Sequence, residues 1–305
     1  MPEMLSKALV LSGPVGAVDQ KLASAAEAAL ADRSVLQTNW LAPDEAWQAL
    51  FVAAEDEDLE PVRARIAALA GGRPIDVNIV ADDIAYRRKK LLVADMDSTM
   101  IGQECIDELA DLVGLKDHVS AITERAMRGE IAFEPALRER VALLKGLPAS
   151  VIDEVIAKRI VLTPGARTLI ATMRAHGAYT CLISGGFTAF TRRIAAMSGF
   201  DEQRGNTLEV DDNGTLTGTV AEPILGREAK RAALIELRDA RGLFACDTLA
   251  VGDGANDLAM IQEAGLGVAY RAKPAVAAAA QARVDHGDLT TLLFLQGYTR
   301  SEFTQ

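Results

Sequence analysis

Cysteine, histidine and aromatic residues are scarce in this chain. Its 305 residues hold 3 cysteines, 3 histidines and only 5% aromatics. Cys105, Cys181 and Cys246 are scattered and form no CxxC pair. That excludes a disulfide framework and a cysteine-based zinc site, and the three read as small packing residues of a reduced protein. His118, His176 and His286 have no matching partners and read as structural or surface positions. No run of about 18 apolar residues occurs, so no transmembrane helix is expected. The opening Met1-Pro2-Glu3-Met4 lacks the basic and apolar regions of a signal peptide, and the expected location is cytoplasmic. Positive charge is also in deficit, with 32 Lys and Arg against 43 Asp and Glu. A net charge of −11 suits neither nucleic acid nor an anionic membrane as partner. It leaves room for a small anionic substrate, because a few cations inside a cleft invert the local sign.

Half of the residues are hydrophobic and a quarter charged, enough for a sizeable core. The length suits roughly two domains. The stretch Leu91-Leu92-Val93-Ala94-Asp95-Met96-Asp97-Ser98-Thr99 organises the rest. Four apolar residues suit a buried strand of a parallel sheet. Two carboxylates spaced i, i+2 follow, at the sheet edge where open α/β sheets keep ligands.

Residues 1–84 predict a small α+β unit. Apolar and alternating segments give the order β-α-β-β-α-β, the ferredoxin-like (ACT-like) arrangement, with Ala46 to Ala54 open to helix or strand. This unit carries no catalytic chemistry. It reads either as a packing or homodimer contact or as a sensor for an amino-acid effector. The basic run Arg87-Arg88-Lys89-Lys90 reads as a solvated boundary. Residues 85–305 predict an α/β, doubly wound, Rossmann-like parallel sheet. Helical periodicities between about 102 and 162 predict an inserted cap over the strand ends. The α/β pattern then resumes. A strand over Tyr179 to Ile183 runs into Ser184-Gly185-Gly186-Phe187, and a hairpin turns about Asp212-Asn213-Gly214. A helix carries Lys230, and a strand over Thr248 to Val251 ends in Gly252-Asp253-Gly254-Ala255-Asn256-Asp257. A last helix is predicted over Pro274 to Arg283 and another near Leu289 to Gln296.

Asp95, Asp97, Ser184 and Asp253 therefore stand at ends of parallel strands that converge on one edge. Carboxylates without histidine or cysteine favour a hard cation, and Mg²⁺ fits best. Ser184 beside flexible glycines offers a hydroxyl and backbone N–H groups to an anion, and Lys230 adds a point charge. The sum is a phosphate pocket with a carboxylate in it. Asp95 suits nucleophilic attack on phosphorus, and Asp97 suits proton transfer if its pKa is raised.

These four ordered segments resemble the motifs of the haloacid dehalogenase-like phosphatases. The likeness covers roughly residues 90 to 295 and extends to the cap, through Glu104-Cys105-Ile106-Asp107-Glu108, Ala126-Met127-Arg128-Gly129 to Phe133, and Leu137 to Val141. Within that family the chain resembles the branch acting on O-phosphoserine, which implies the last step of serine biosynthesis. The resemblance implies Asp95 as nucleophile and Asp97 as acid/base. It implies Mg²⁺ on Asp95, the Asp97 backbone carbonyl and Asp253. Ser184, Gly185, Lys230 and Asn256 would line the phosphate. Glu104 and Arg140 would take the ammonium and carboxylate of the substrate, with Met127 and Phe133 closing the pocket. Met96 departs from the aromatic residue frequent in the family. Two rival readings are transfer of the phosphoryl group to an alcohol such as homoserine, and a non-catalytic amino-acid sensor.

Overall fold

The computed structural model describes residues 3–83, 85–128 and 130–305, and the Met127 side chain lies outside the described set. The first four strands, β1 (Met4–Ser12), β2 (Val35–Ala42), β3 (Ala46–Ala54) and β4 (Asp76–Ala81), pair antiparallel in the order β2-β3-β1-β4. Helices α1 (Gln20–Ala28) and α2 (Glu60–Leu69) complete the expected ferredoxin-like order. Ala46–Ala54 is a strand. Pairing on both sides overrides the helix preference of its alanines. Alternation then divides β1 between two cores. Leu9 and Leu11 join Trp47, Phe51 and Ile66 under the helices. Ala8 and Val10 face the other way and share a core with Leu292 and Leu293 of the second unit. Both faces of this small sheet are therefore covered.

The second sheet has six strands in the order β12-β11-β10-β5-β6-β7, all parallel. Its strands are β5 (Leu91–Ala94), β6 (Tyr179–Phe187), β7 (Glu202–Asn206), β10 (Thr248–Gly252), β11 (Leu266–Tyr270) and β12 (Ala282–Val284). β8 (Leu208–Val210) and β9 (Leu216–Val220) form the predicted hairpin. Leu91, Leu92 and Val93 are 0% exposed, so β5 is clamped from both faces. Burial of each such side chain stabilises by about 1.5–3 kcal/mol. The chain winds from β5 outward through β6 and β7, then returns to β10 on the other side. That reversal opens a crevice at the carboxyl ends of β5 and β10.

The cap leaves and returns beside β5. Its helices are α3 (Cys105–Asp111), α4 (Lys116–Met127), α5 (Phe133–Ala142) and α6 (Val151–Arg159). Ile101 bridges Leu162, and Thr163 N donates to the Met100 carbonyl at 3.0 Å, so the two hinge segments are paired. The outer layers use α7 (Ala166–Ala175), α8 (Thr188–Ser198), α9 (Arg227–Asp239), α10 (Leu258–Glu263), α11 (Pro274–Ala279) and α12 (Thr291–Leu295).

Two expectations need correction, and one strand was not expected. The Pro274 to Arg283 helix stops at Ala279, and Ala282–Val284 is the edge strand β12, drawn into the sheet by β11. The strand β7 has the polar sequence Glu-Gln-Arg-Gly-Asn and gives no apolar signal, because an edge strand is only half buried. The basic run is a solvated boundary only in part, since Arg88 and Lys90 are exposed but Arg87 and Lys89 are not. Arg87 and Lys89 are 8% and 9% exposed. Arg87 donates to Gln48 at 2.6 Å, Asp82 at 2.7 Å and the Leu295 carbonyl at 3.3 Å. Lys89 Nζ donates to the Tyr86 and Cys246 carbonyls, and burial lowers its pKa to about 8. Arg87 stitches the two units together, whereas Lys89 ties the start of the second unit to the loop before β10. Asp76 adds another stitch by accepting the backbone N–H groups of Asp285, His286 and Gly287 at 2.8–3.3 Å.

Candidate active site

The stretch after β5 is a wide turn over Met96–Met100, not regular helix. Ser98 sits in it at φ +53°, a left-handed value unusual for serine and typical of strained functional turns. The turn lets Asp95 and Asp97 point to different partners in one crevice. Asp95 Oδ1 accepts from Lys230 Nζ at 2.5 Å. Asp97 Oδ1 accepts from the Cys105 N–H at 3.0 Å, and its Oδ2 accepts from Ser184 Oγ at 3.3 Å. Asp97 thus lies between the sheet and the first cap helix.

Lys230 is 0% exposed and stands on the same face of α9 as Ala233, Leu234 and Leu237. A lysine on an apolar stripe at i, i+3, i+4, i+7 needs a partner, and this one has two. Its second partner is Asp257 Oδ1, at 2.6 Å. Asp257 Oδ2 accepts from the Asp253 and Gly254 N–H groups at 3.2 and 3.1 Å. Gly252 makes the room, since a Cβ there would lie 2.4 Å from Asp257 Cγ.

Asp95, Asp253 and Asp257 bring a carboxylate oxygen each within 4.8 Å of one another. Asp253 Oδ1 is buried and has no hydrogen-bond partner among the described residues. A buried orphan oxygen in an all-oxygen cluster fits a hard divalent cation. The third carboxylate here is Asp257, which also holds Lys230. Asp97 turns its carboxylate elsewhere, which leaves only its backbone for such an ion.

A pocket of about 240 Å³ opens over this cluster. Asp95, Asp97, Ser184, Gly185 and Asn256 line one end, and Glu104, Phe133 and Arg140 line the cap side. Lys230 and Asp253 lie beneath the first end. Met127, expected at the pocket mouth, has its side chain outside the described set. Phe133 reaches across the opening. A Cβ on Gly185 would lie 2.5 Å from Phe133 Cζ, so only glycine lets the ring close down there. Ser184-Gly185 lies within β6 rather than beyond it, because β6 runs on to Phe187. Asn206 of β7 holds that segment. Its Nδ2 donates to the Gly185 carbonyl at 2.8 Å and the Leu225 carbonyl at 3.1 Å. Sequence reasoning missed Asn206 along with its strand. Arg227 and Thr123 also line the pocket and were missed.

Burial dominates the electrostatics. It raises the pKa of Asp95 to about 7, with Asp257 adding to the rise and Lys230 opposing it. Burial pushes the Asp97 carboxyl up, and its hydrogen bonds to Cys105 pull the other way. Glu104 is raised well above its ordinary range, by burial first and Asp97 next. Asp253 is raised by burial and by Asp257. Burial works against the Lys230 ammonium, but Asp257 and Asp95 outweigh it and hold its pKa above the usual value. On the cap side, Glu104 Oε1 accepts from Ser98 Oγ at 2.6 Å. Arg140 is 5% exposed and faces the pocket without a carboxylate bonded directly to it among the described residues.

The fold and this arrangement define a class. Residues 92–262 match the family model of the haloacid dehalogenase-like hydrolases, and the chain belongs to that family. It is 44% identical over 254 residues to a phosphoserine phosphatase of Streptomyces coelicolor, an alignment covering 83% of this chain. The alignment takes in 62% of that relative's length. A solved hydrolase of the same family from Salmonella enterica serovar Typhi covers 95% of this chain and 98% of its own, at 28% identity and a TM-score of 0.79. A phosphoserine phosphatase solved as a phospho-aspartyl intermediate analogue covers 68% of this chain and 98% of its own, at 40% identity and a TM-score of 0.65. No helix among the described residues is long and apolar enough to cross a membrane.

Proposed function

We propose that this chain is a Mg²⁺-dependent phosphomonoesterase that hydrolyses O-phosphoserine to serine and phosphate. The observation that carries the reading is one pocket lined from two chemically different sides. Asp95, bonded to Lys230 and clustered with Asp253, comes from the sheet side, and Glu104 and Arg140 come from the cap side. O-phosphoserine has the matching layout: a phosphate at one end, an ammonium and a carboxylate at the other. The relatives named for that substrate support the same choice.

In this reading an Asp95 oxygen attacks phosphorus and the ester P–O bond breaks. Asp97 gives its proton to the leaving serine oxygen, a step suited to a carboxyl whose pKa is raised by burial. Water then attacks the aspartyl-phosphate, Asp97 takes the water's proton, and the Asp95 carboxylate is released with inorganic phosphate. Lys230 offsets charge at Asp95 throughout. Ser184, Gly185 and Asn256 orient the phosphate oxygens. Asp95, Asp253 and the Asp97 backbone carbonyl would hold Mg²⁺, with Asp257 beside them, and the ion would neutralise phosphate charge that otherwise repels the nucleophile. Glu104 and Arg140 orient the amino-acid end, and Phe133 limits water. We also propose residues 1–84 as the accessory unit, 85–305 as the catalytic unit and 102–162 as its cap.

A phosphate-release screen over small phosphorylated metabolites with Mg²⁺ tests the reading. O-phosphoserine should lead, and O-phosphoethanolamine, which lacks the carboxylate, should trail it by at least about tenfold in kcat/KM. Turnover of neither would sink the proposal. A second expectation concerns pH. Burial pushes the Asp95 pKa up to about 7, against 3.8 for an ordinary aspartate. The folded state then holds the extra proton, so its contribution to stability is full below pH 4 and fades as pH rises through 7. With a chelator, thermal stability should fall between pH 5 and pH 8. Mg²⁺ should raise the melting temperature more at pH 8 than at pH 5, because it favours the ionised carboxylates. An equal rise at both pH values would argue against these carboxylates as ligands.

A further inference from the structure

The cap contains a buried polar chain that the scheme above leaves unused. Asp107 on α3 is 8% exposed, and Thr123 on α4 is 4% exposed. One Asp107 oxygen accepts from Ser120 Oγ at 2.6 Å, and the other accepts from Thr123 Oγ1 at 2.9 Å. Thr123 Oγ1 accepts in turn from Arg140 Nη1 at 2.8 Å. The single Thr123 proton has one other acceptor in reach, the Val119 carbonyl at 3.1 Å. The carboxylate is the stronger acceptor of the two. Arg140 Nε is tied to the Ala136 carbonyl at 3.0 Å. Two of the three guanidinium nitrogens are thus held from behind. Among the described residues Nη2 has no protein partner, in a side chain that lines the pocket.

We propose that Asp107, acting through Thr123, is a positioning residue that fixes the Arg140 guanidinium for a substrate carboxylate and so sets the preference for acidic over amine-only phosphate esters. The inference rests on the carboxylate-reading role given to Arg140 above. The physical reason is preorganisation. A free arginine side chain has many rotamers to lose on binding, and one already locked loses few. The hydroxyl suits the relay because it accepts from the guanidinium and donates to the carboxylate at once. Asp107 also offsets the burial that otherwise lowers the Arg140 pKa, as Glu104 does more strongly.

The test measures kcat and KM of the full chain with Mg²⁺ for O-phosphoserine and O-phosphoethanolamine. Thr123→Val removes the hydroxyl at constant shape. It should cut the ratio of the two kcat/KM values about tenfold, mainly through the KM for O-phosphoserine. Thr123→Ser restores the hydroxyl and should return the ratio to within about twofold of wild type. A Thr123→Val protein with an unchanged ratio, or with equal losses on both substrates, overturns the proposal, as does failure of Thr123→Ser to restore it. If Thr123→Val does not fold, Asp107→Ala decides by the same ratio, since it removes both oxygens that accept from Ser120 and Thr123. The wild type separates the two failures. A wild-type enzyme with no preference for O-phosphoserine removes the substrate reading itself, before any variant is compared.

Discussion

Asp95→Asn should fold normally and lose at least about 10⁴-fold in kcat. The substitution keeps shape and removes the attacking oxyanion, so no partial mechanism survives at that position. Its stability should not fall. Two carboxylates, Asp95 and Asp257, share the one ammonium of Lys230, and neutralising one relieves their repulsion. Fold and activity therefore separate cleanly in this variant. Thermal unfolding and phosphate release on the same preparation check both halves. Turnover within about tenfold of wild type would place the nucleophile elsewhere.

Lys230→Met should damage both properties. The ammonium is 0% exposed and lies 2.5 Å from Asp95 and 2.6 Å from Asp257. Its loss strands two buried carboxylates, and breaking such a pair typically costs about 3–5 kcal/mol. Chemical unfolding in the presence of a chelator measures this directly. Activity should fall by at least about 10²–10³ even where the protein stays folded, the range seen when one preorganised electrostatic donor is removed. There is a second cause. Lys230 holds the Asp95 pKa down, so without it more of the nucleophile is protonated at neutral pH. The surviving activity should therefore shift toward higher pH. Wild-type stability together with a loss of only a few-fold would show that Lys230 is not the counter-charge of the site.

In the proposed function, the cap puts specificity and chemistry on different parts of the chain. Asp95 and Asp253 follow rigid, fully buried strands, whereas Glu104 and Arg140 sit on an insertion joined through paired hinge segments. A rigid sheet suits reacting groups that must hold sub-ångström geometry. A hinged insertion suits groups that must admit and release a substrate.

Much of this was readable from residue order. Strand ends followed by carboxylates, the helical interval after Thr99, and the β-α-β-β-α-β order all depend on local periodicity and turn chemistry. Lys230 could also have been placed from its helix, because it shares a stripe with Ala233, Leu234 and Leu237. The same rule picks out Arg140 between Ala136, Leu137 and Val141. What the sequence by itself determined is therefore which elements form and which polar residues stand where apolar ones are expected. Tertiary structure alone decided their partners. It buried Arg87 in a seam between two units, made a strand of the polar segment Glu202–Asn206, and tied Asp107 to Arg140 through Thr123. Periodicity reports which side of an element faces inward. It holds no information on what approaches from elsewhere in the chain, and a buried charge is defined by what approaches it.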